Sequence, residues 1–566
     1  MIVKTDVLII GAGGAGARAA IEASKNEKLR ILLLNQGPLG RSGLTSMANG
    51  GMQWVSHPED SFEDHFRDVV RIGCYLNEQN LVECLAREAP ERAEELIAWG
   101  AKVFMEGGRL FFTDPRGSGA SHPRGHYIPG VTYMAALKGE LERHENIFIR
   151  EDSLATCLFT DEGRVIGASV LDIRTGEVFA IQSKAVVLAA GGLGELFPHS
   201  SNTPFGLRGH ASGVGYALAF HAGAELIDME MVQFTGQQLY PPWLLGNPAL
   251  LSIMCGGEYR NALGKEYMKL PQPRDVIQRL AYREIKEGRG TPRGGVYIDL
   301  SVSPLPSAEI ERQLQKALGG DIARERWNLI KAMSADDPDP KHWKVEFTPG
   351  GAHFFMGGVR INERCETNLY GLFAAGEVAG GVHGANRMGG NALTDIVVFG
   401  RRAGKYAAEY ASRAEWIAPD EGLVRQENER LHGFFRPDGV SGRAVRERIG
   451  SFMAEYMGVA RTEDEMKKAL SEIASLKAEL PRLRAPGGKR FNLGWVEAIE
   501  VPYMLDVAEM MTLSALSRRE SRGAHFREDF PDTDPRWLKH TRVRKAGTAM
   551  QVDTAPVTIT TLNPGG

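Results

Sequence analysis

The chain opens on a short unbroken apolar run, "DVLII" at 6–10, the pattern of a parallel strand buried on both faces. "GAGGAGARAAIEAS" (11–24) follows as a glycine turn opening into a helix, and "RILLLNQ" (30–36) is the next buried strand. An apolar run entering a glycine turn returns twice, in "AVVLAAGGLGELF" (185–197) and "LYGLFAAGEVAGG" (369–381). Residues 226–345 read differently: they are richer in proline, polar and charged residues, with "GGVYIDLS" (294–301) as a strand. From about residue 405 to 500 the apolar period turns helical. "TEDEMKKALSEIASLKAEL" (462–480) begins with a capping box, Thr462 and Glu465, and repeats Met466, Leu470, Ile473, Leu476 and Leu480 on one face. The tail "MQVDTAPVTITTL" (550–562) alternates as a strand does. The expected class is α/β. A Rossmann-type dinucleotide-binding domain is made from 1–225 and 346–410, with an inserted α+β capping (lid) domain at 226–345. A helical domain at 411–500 and a C-terminal domain at 501–566 complete the chain.

Composition changes this picture only by exclusion. The 566 residues are 43% apolar and 24% charged, with a net charge of −4 and no basic run, so nucleic-acid binding has no electrostatic support. No apolar run reaches the length of a membrane span. The apolar N-terminus leads straight into a glycine loop and reads as a strand, not a signal peptide. Any membrane association must therefore come through a partner. The five cysteines, Cys74, Cys84, Cys157, Cys255 and Cys365, form no C-x-x-C pair. That argues against a zinc site or an iron–sulfur cluster held by this chain alone, and fits a reducing compartment.

The glycine turns carry the candidate chemistry. Gly11-x-Gly13-x-x-Gly16, with Gly14 between, stands between strand and helix as a dinucleotide fingerprint requires. The helix start offers free N–H groups and a positive dipole end to a pyrophosphate. Asn35 occupies the place of the usual acidic ribose ligand, which weakens NAD as the tenant and leaves FAD open. "RSGLTSMANGG" (41–51) ends in Gly50-Gly51, as a loop pressed against a cofactor does. In "HGANRMGGNALTDIVVFGRRAG" (383–404), Arg387 is flanked by Gly384, Gly389 and Gly390. Such flanking lets a planar ligand approach, and a guanidinium fork suits a carboxylate.

With "HGANRMGGNAL" and "GLFAAGE" the chain resembles the flavoprotein subunit of the fumarate reductase and succinate dehydrogenase family, which carries "HGANRLGGNSL" and "GLFAxGE". The resemblance continues in "AHFFMGGV" (352–359), "PRDVIQRL" (273–280) and "RRESRGAHFREDFP" (518–531). It implies FAD on Gly11, Gly13, Gly14 and Gly16, on Ser42, Thr45, Asn49, Gly50 and Gly51, on Gly191 and Gly192, and on Asn391, Ala392 and Leu393. Glu377 would bind FAD through its adenosine ribose. Arg387 and His353 would hold a substrate carboxylate, and Arg274 would be the general acid. Arginine is a poor acid in water and serves only in a dry site that lowers its proton affinity. A salt bridge of Arg274 with Asp275, and a satisfied core histidine at 353, are the purely structural readings. The resemblance further implies a small carboxylate substrate and an iron–sulfur partner subunit. The location would be cytoplasmic, with peripheral attachment at the cytoplasmic face of the membrane through a partner.

The sequence departs from the family in two places. Respiratory members tie FAD covalently to a histidine in the loop where this chain has Leu44, and no histidine lies between residues 1 and 56. FAD is therefore expected to be non-covalent. The family's "QFHPTG" is "QFTGQQ" (233–238), and its "TEGxRGEGG" is "LLSIMCGGEY" (250–259). The far end of the substrate site is thus rebuilt with Thr235, Gln237 and Gln238, and a cap cation such as Arg260 is one way to restore a second clamp. The expected function is hydride transfer between flavin N5 and a C=C/CH–CH bond beside a carboxylate, fumarate/succinate or a related enoate. Two alternatives stay open: a soluble L-aspartate oxidase-like enzyme working on a C–N bond, told apart by peroxide production, and an FAD electron-transfer subunit of a larger complex with a non-fumarate substrate.

Overall fold

The computed structural model describes residues 2–48, 51–113, 115–198, 200, 211–238, 249–270, 272–317, 324–547 and 549–564. The opening apolar run forms β1 (Ile2–Ile10), followed by α1 (Gly14–Ser24) and β2 (Ile31–Leu34). β1 pairs in parallel with β2 (Val7↔Ile31) and with strand Glu177–Leu188 (Val7↔Ala185), which in turn takes Leu372–Ala374 as a further parallel neighbour. The strands Arg164–Asp172 and Ser153–Asp161 add antiparallel edges to the same sheet. Val7, Leu8 and Ile9 are fully buried, which explains the unbroken apolar pattern; each such side chain contributes roughly 1.5–3 kcal/mol of burial. α1 packs on the long helix Asn391–Ala411 through small residues. A Cβ on Gly400 would stand 2.6 Å from the Ala15 carbonyl oxygen, and one on Gly404 would stand 2.2 Å from that of Ala19.

The cap has its own sheet, built from Val232–Gln238, Lys344–Phe355, Val296–Asp299, Glu258–Arg260 and Glu266–Met268, and its own core around Tyr259, Ile277, Ile298, Trp327 and Phe347. The expected limits at 226 and 345 both fall inside paired strands. Leu226–Ile227 pairs instead with Gly358–Arg360 and with the C-terminal strand Lys539–Ala546. Lys344–Phe355 runs unbroken from the cap to the site, although it contains Pro349-Gly350-Gly351, residues that ordinarily mark a break; the register shift between Thr235↔Gly351 and Gln237↔Thr348 absorbs Pro349 and Gly350. The limit at 500 falls inside helix Leu493–Ser517. Thr462 and Glu465 form the capping box of helix Glu463–Glu479, and the tail forms strand Ala549–Pro556. Among the described residues, no helix is long and apolar enough to cross a membrane.

Candidate functional site

At the C-terminal end of β1 the chain turns through Gly11 at φ +102°, where a Cβ would stand 2.3 Å from the Ala189 carbonyl oxygen. Gly16 admits the helix against this turn, because a Cβ there would lie 1.8 Å from the Gly11 oxygen. α1 begins at Gly14 after Gly13, which offers no side-chain cap, so its dipole end and the N–H groups beyond Gly14 face a cleft. That cleft runs from Ile10–Ala15 past Asn35, Ser42–Thr45 and Gly191 to Gly376 and Glu377. Thr45 Oγ1 accepts from Gly14 N at 3.1 Å, and Ser42 is tied to Asn35 at 2.8 Å. Leu44 lines the same cleft and carries no nucleophilic atom. Asn49 and Gly50 lie outside the described residues; a Cβ on Gly51 would stand 3.7 Å from Gly390 Cα. The donors and the space that Cβ atoms would fill suit a dinucleotide pyrophosphate.

Glu377 lines this cleft. Its Oε1 accepts from Phe355 N at 3.1 Å, and a Cβ on Gly192 would lie 2.3 Å from that oxygen. Burial pushes its pKa up to about 7, opposed by the Phe355 N–H and the charge of Arg387. Asn35 lines the same cleft, its amide held by the Gly37 carbonyl and Ser42. Glu377 thus lines the cleft and faces the charge of Arg387 as well. Beside it, Asp395 is buried and pushed up to about 8. The long helix starts at Gly390, φ +87°. Asn391 Oδ1 meets His65 Nε2 at 3.1 Å while its Nδ2 is unpartnered, Ala392 sits in the first turn, and the Leu393 carbonyl accepts from Tyr133 at 2.7 Å.

The other cluster lies where the cap meets the "HGANR" loop. Arg387 is 4% exposed and lies 4.7 Å over the Phe354 ring; its Nε is buried without a partner among the described residues. Burial and the charge of Arg274 pull its pKa down to about 9. His353 is the extra residue at the register shift between Gln233↔Phe354 and Phe234↔Ala352, a position where a bulge re-aims a side chain. Burial, then the charges of Arg387 and Arg274, hold its pKa well below 6.5, so the ring is neutral. Arg274 opens the cap helix Arg274–Glu284, with Nη2 placed 2.8 Å from where a Cβ on Gly389 would be. It makes no ion pair among the described residues, and burial lowers its pKa. Asp275 does not pair with it; Asp275 binds Arg279 at 3.0 Å instead.

Thr235 is buried on the strand face shared with Gln233, and pairs with Gly351. Gln237 pairs with Thr348; its side chain, like that of Gln238, lies outside the described residues. Arg260 restores no second clamp, because it is held by Glu258 and the Gly264 carbonyl, each at 2.6 Å. Sequence reasoning missed Gln233, whose Oε1 accepts from Arg387 Nη2 at 2.8 Å, and Asn386, which accepts from Gln233 at 2.8 Å. Gln233 was legible: it is the first letter of "QFTGQQ" and matches the family, but a difference draws more notice than an agreement.

Residues 6–393 match an FAD binding domain, and residues 446–566 match the fumarate reductase flavoprotein C-terminal domain. The chain belongs to the fumarate reductase flavoprotein family. It is an FAD-dependent oxidoreductase of the fumarate reductase/succinate dehydrogenase type. One subunit of the fumarate reductase (CoM/CoB) of Methanothermobacter marburgensis is 39% identical over 95% of this chain and 96% of its own length. The fumarate reductase flavoprotein subunit of Escherichia coli is 33% identical over 99% of this chain and 95% of its own. A solved structure of Escherichia coli quinol fumarate reductase FrdA superimposes with a TM-score of 0.89 at 30% identity, covering 100% of this chain and 99% of that one. In this fumarate reductase-type flavoprotein, Gly11–Ala15, Thr45 and Glu377 line one cleft at the start of the first helix.

Proposed function

We propose that this flavoprotein moves a hydride between FAD and a C=C/CH–CH bond beside a carboxylate, in fumarate/succinate or a related enoate. The observation that carries the reading is the meeting of two guanidinium groups, half-buried Arg274 and buried Arg387, with a neutral histidine at the Gly389 turn. Two neighbouring like charges, one buried and one half-buried and neither ion-paired to a carboxylate among the described residues, are costly unless an anion joins them. When bound, FAD supplies the hydride at flavin N5. Arg387 grips the substrate carboxylate and His353 donates a hydrogen bond to it. Arg274 holds the proton for the neighbouring carbon; burial, which weakens its hold on that proton, makes it a better acid than arginine in water.

The far end of the substrate site contains buried Thr235 and suits a neutral polar or larger substituent better than a second carboxylate. Electrons travel through an iron–sulfur partner subunit, in keeping with a chain that has no C-x-x-C pair and with relatives named as subunits of fumarate reductases. Attachment at the cytoplasmic face of a membrane would come through such partners. The test is a pair of variants. Arg387→Ala raises KM and slows turnover, whereas Arg274→Ala keeps FAD and ligand binding and loses ~10²–10⁴-fold in kcat. Wild-type turnover in Arg274→Ala would remove it from the chemistry.

A further inference from the structure

Arg387 is held by two amides in series that end on a carboxylate. Arg387 Nη2 donates to Gln233 Oε1 at 2.8 Å. Gln233 Nε2 donates to Asn386 Oδ1 at 2.8 Å and to the Arg387 carbonyl at 2.9 Å. Asn386 Nδ2 donates to Asp275 Oδ1 at 3.0 Å, and the other carboxylate oxygen accepts from Arg279 at 3.0 Å. The three links come from three segments: the cap helix, the strand Val232–Gln238 and the "HGANR" loop.

Each amide has two orientations that exchange its donor and acceptor ends. An ionised carboxylate can only accept, so Asp275 requires the NH₂ of Asn386. Asn386 must then turn its oxygen to Gln233, and Gln233 must turn its own oxygen to Arg387. The opposite orientation would set an NH₂ against a guanidinium and a carbonyl oxygen against a carboxylate. We infer that Asp275 is a positioning residue: from the cap, it fixes the orientation of Asn386 and, together with the Arg387 carbonyl, that of Gln233. An uncharged oxygen, not a carboxylate, therefore steadies Arg387. A carboxylate in direct contact would hold the guanidinium as firmly but cancel its charge. The amide relay transmits direction without charge and leaves Arg387 cationic for its ligand. It is complete only while the cap helix is docked on the loop. This inference rests on Arg387 being the carboxylate clamp.

The test is a mutant cycle on the full-length, FAD-loaded chain, with fumarate as the probe and a reduced viologen dye as donor. Asp275→Asn replaces a pure acceptor with an amide that can face either way. KM should rise about tenfold, the size of one hydrogen bond, with kcat within about threefold and FAD content unchanged. Gln233→Glu puts a charge on Arg387 and removes the donor that Asn386 needs, so KM should rise further, by about 100-fold. In the double variant the polarity can run consistently in reverse. The new amide donates to a turned Asn386, which donates to the new carboxylate. Its KM should therefore lie below that of Gln233→Glu alone. Strictly additive effects on KM, or an Asp275→Asn enzyme changed in kcat only, would overturn the inference while Arg387→Ala still raised KM. An unchanged KM in Arg387→Ala would remove the clamp itself, and the relay with it.

Discussion

Adding one methyl group at Gly389 is a sharp test of where Arg274 lies. A Cβ at this position would stand 2.8 Å from Arg274 Nη2, 3.0 Å from Ser118 Cα and 3.2 Å from Ser118 Cβ. Ordinary contact begins at 3.4 Å, so something must yield by about 0.6 Å. The backbone at Ser118 gives way less readily than the end of a long side chain, so the guanidinium moves. The backbone of Gly389 is not in the left-handed region, so alanine brings no conformational strain there. A displacement approaching 1 Å costs a positioned group up to ~10²-fold in rate. Gly389→Ala should therefore lower kcat by roughly that factor while FAD absorbance per chain and folded content stay at wild-type values. The assay is oxidation of a reduced viologen dye with an enoate acceptor, run beside Arg274→Gln and the double variant. If the methyl group acts through Arg274, the double variant is no slower than Arg274→Gln alone, because the two changes remove one interaction. A Gly389→Ala enzyme with FAD retained and kcat within threefold of wild type would refute the reasoning, as would multiplicative losses in the double variant.

Acid precipitation should leave the flavin in the supernatant, because Leu44 lines the cofactor cleft without a nucleophile; colour retained on the denatured chain would contradict this. With Arg387 pulled down to about 9, kcat/KM for a carboxylate substrate should fall on an alkaline limb near that pH as the guanidinium loses its charge, and Arg387→Ala should abolish the limb. Stability has its own pH dependence at His540, whose Nδ1 lies 2.5 Å from Asp228 and Nε2 3.1 Å from Glu78, with Arg518 and Arg360 facing the same acids. Burial alone would lower its pKa, but the two carboxylates raise it from 6.5 to about 9. The folded-state pKa exceeds the unfolded one, so this stabilisation, about 3 kcal/mol, is complete below 6.5 and lost as pH rises through about 9. Thermal midpoints should fall across that window, and His540→Gln should flatten the fall.

The nucleotide-binding half was legible because its signals are local. A buried strand needs an apolar run, a close turn needs Gly11, and a tight helix approach needs Gly16; all three are adjacent in sequence. The cap limits were not legible, because Pro349-Gly350-Gly351 imitates a break and only the pairing with Val232–Gln238 shows that the strand continues. Arg387, His353 and Arg274 were found through motif resemblance, but their partners were not. The links Asp275–Asn386–Gln233 join residues up to 153 positions apart, and no periodicity marks which amide faces which acid. Glu377 was named as a cofactor residue, but its partner was not. Its neighbour Phe355 arrives on the cap strand, a contact set by tertiary structure alone.

Hydride transfer to a C=C bond beside one clamped carboxylate is tested most directly by dye-linked kinetics of the purified, FAD-loaded chain on a graded set of acceptors: fumarate, its half-amide and half-ester, mono-acid enoates and the carboxylate-free diester. Arg387 supplies a cation for one carboxylate, whereas Thr235 and its strand neighbours supply none for a second. Every acceptor with one free carboxylate should turn over, the half-amide or half-ester should exceed fumarate in kcat/KM, and the diester should be inert. Turnover of the diester at the rate of the half-ester would contradict the clamp, and efficient reduction of fumarate with all mono-acids inert would contradict the single-carboxylate site.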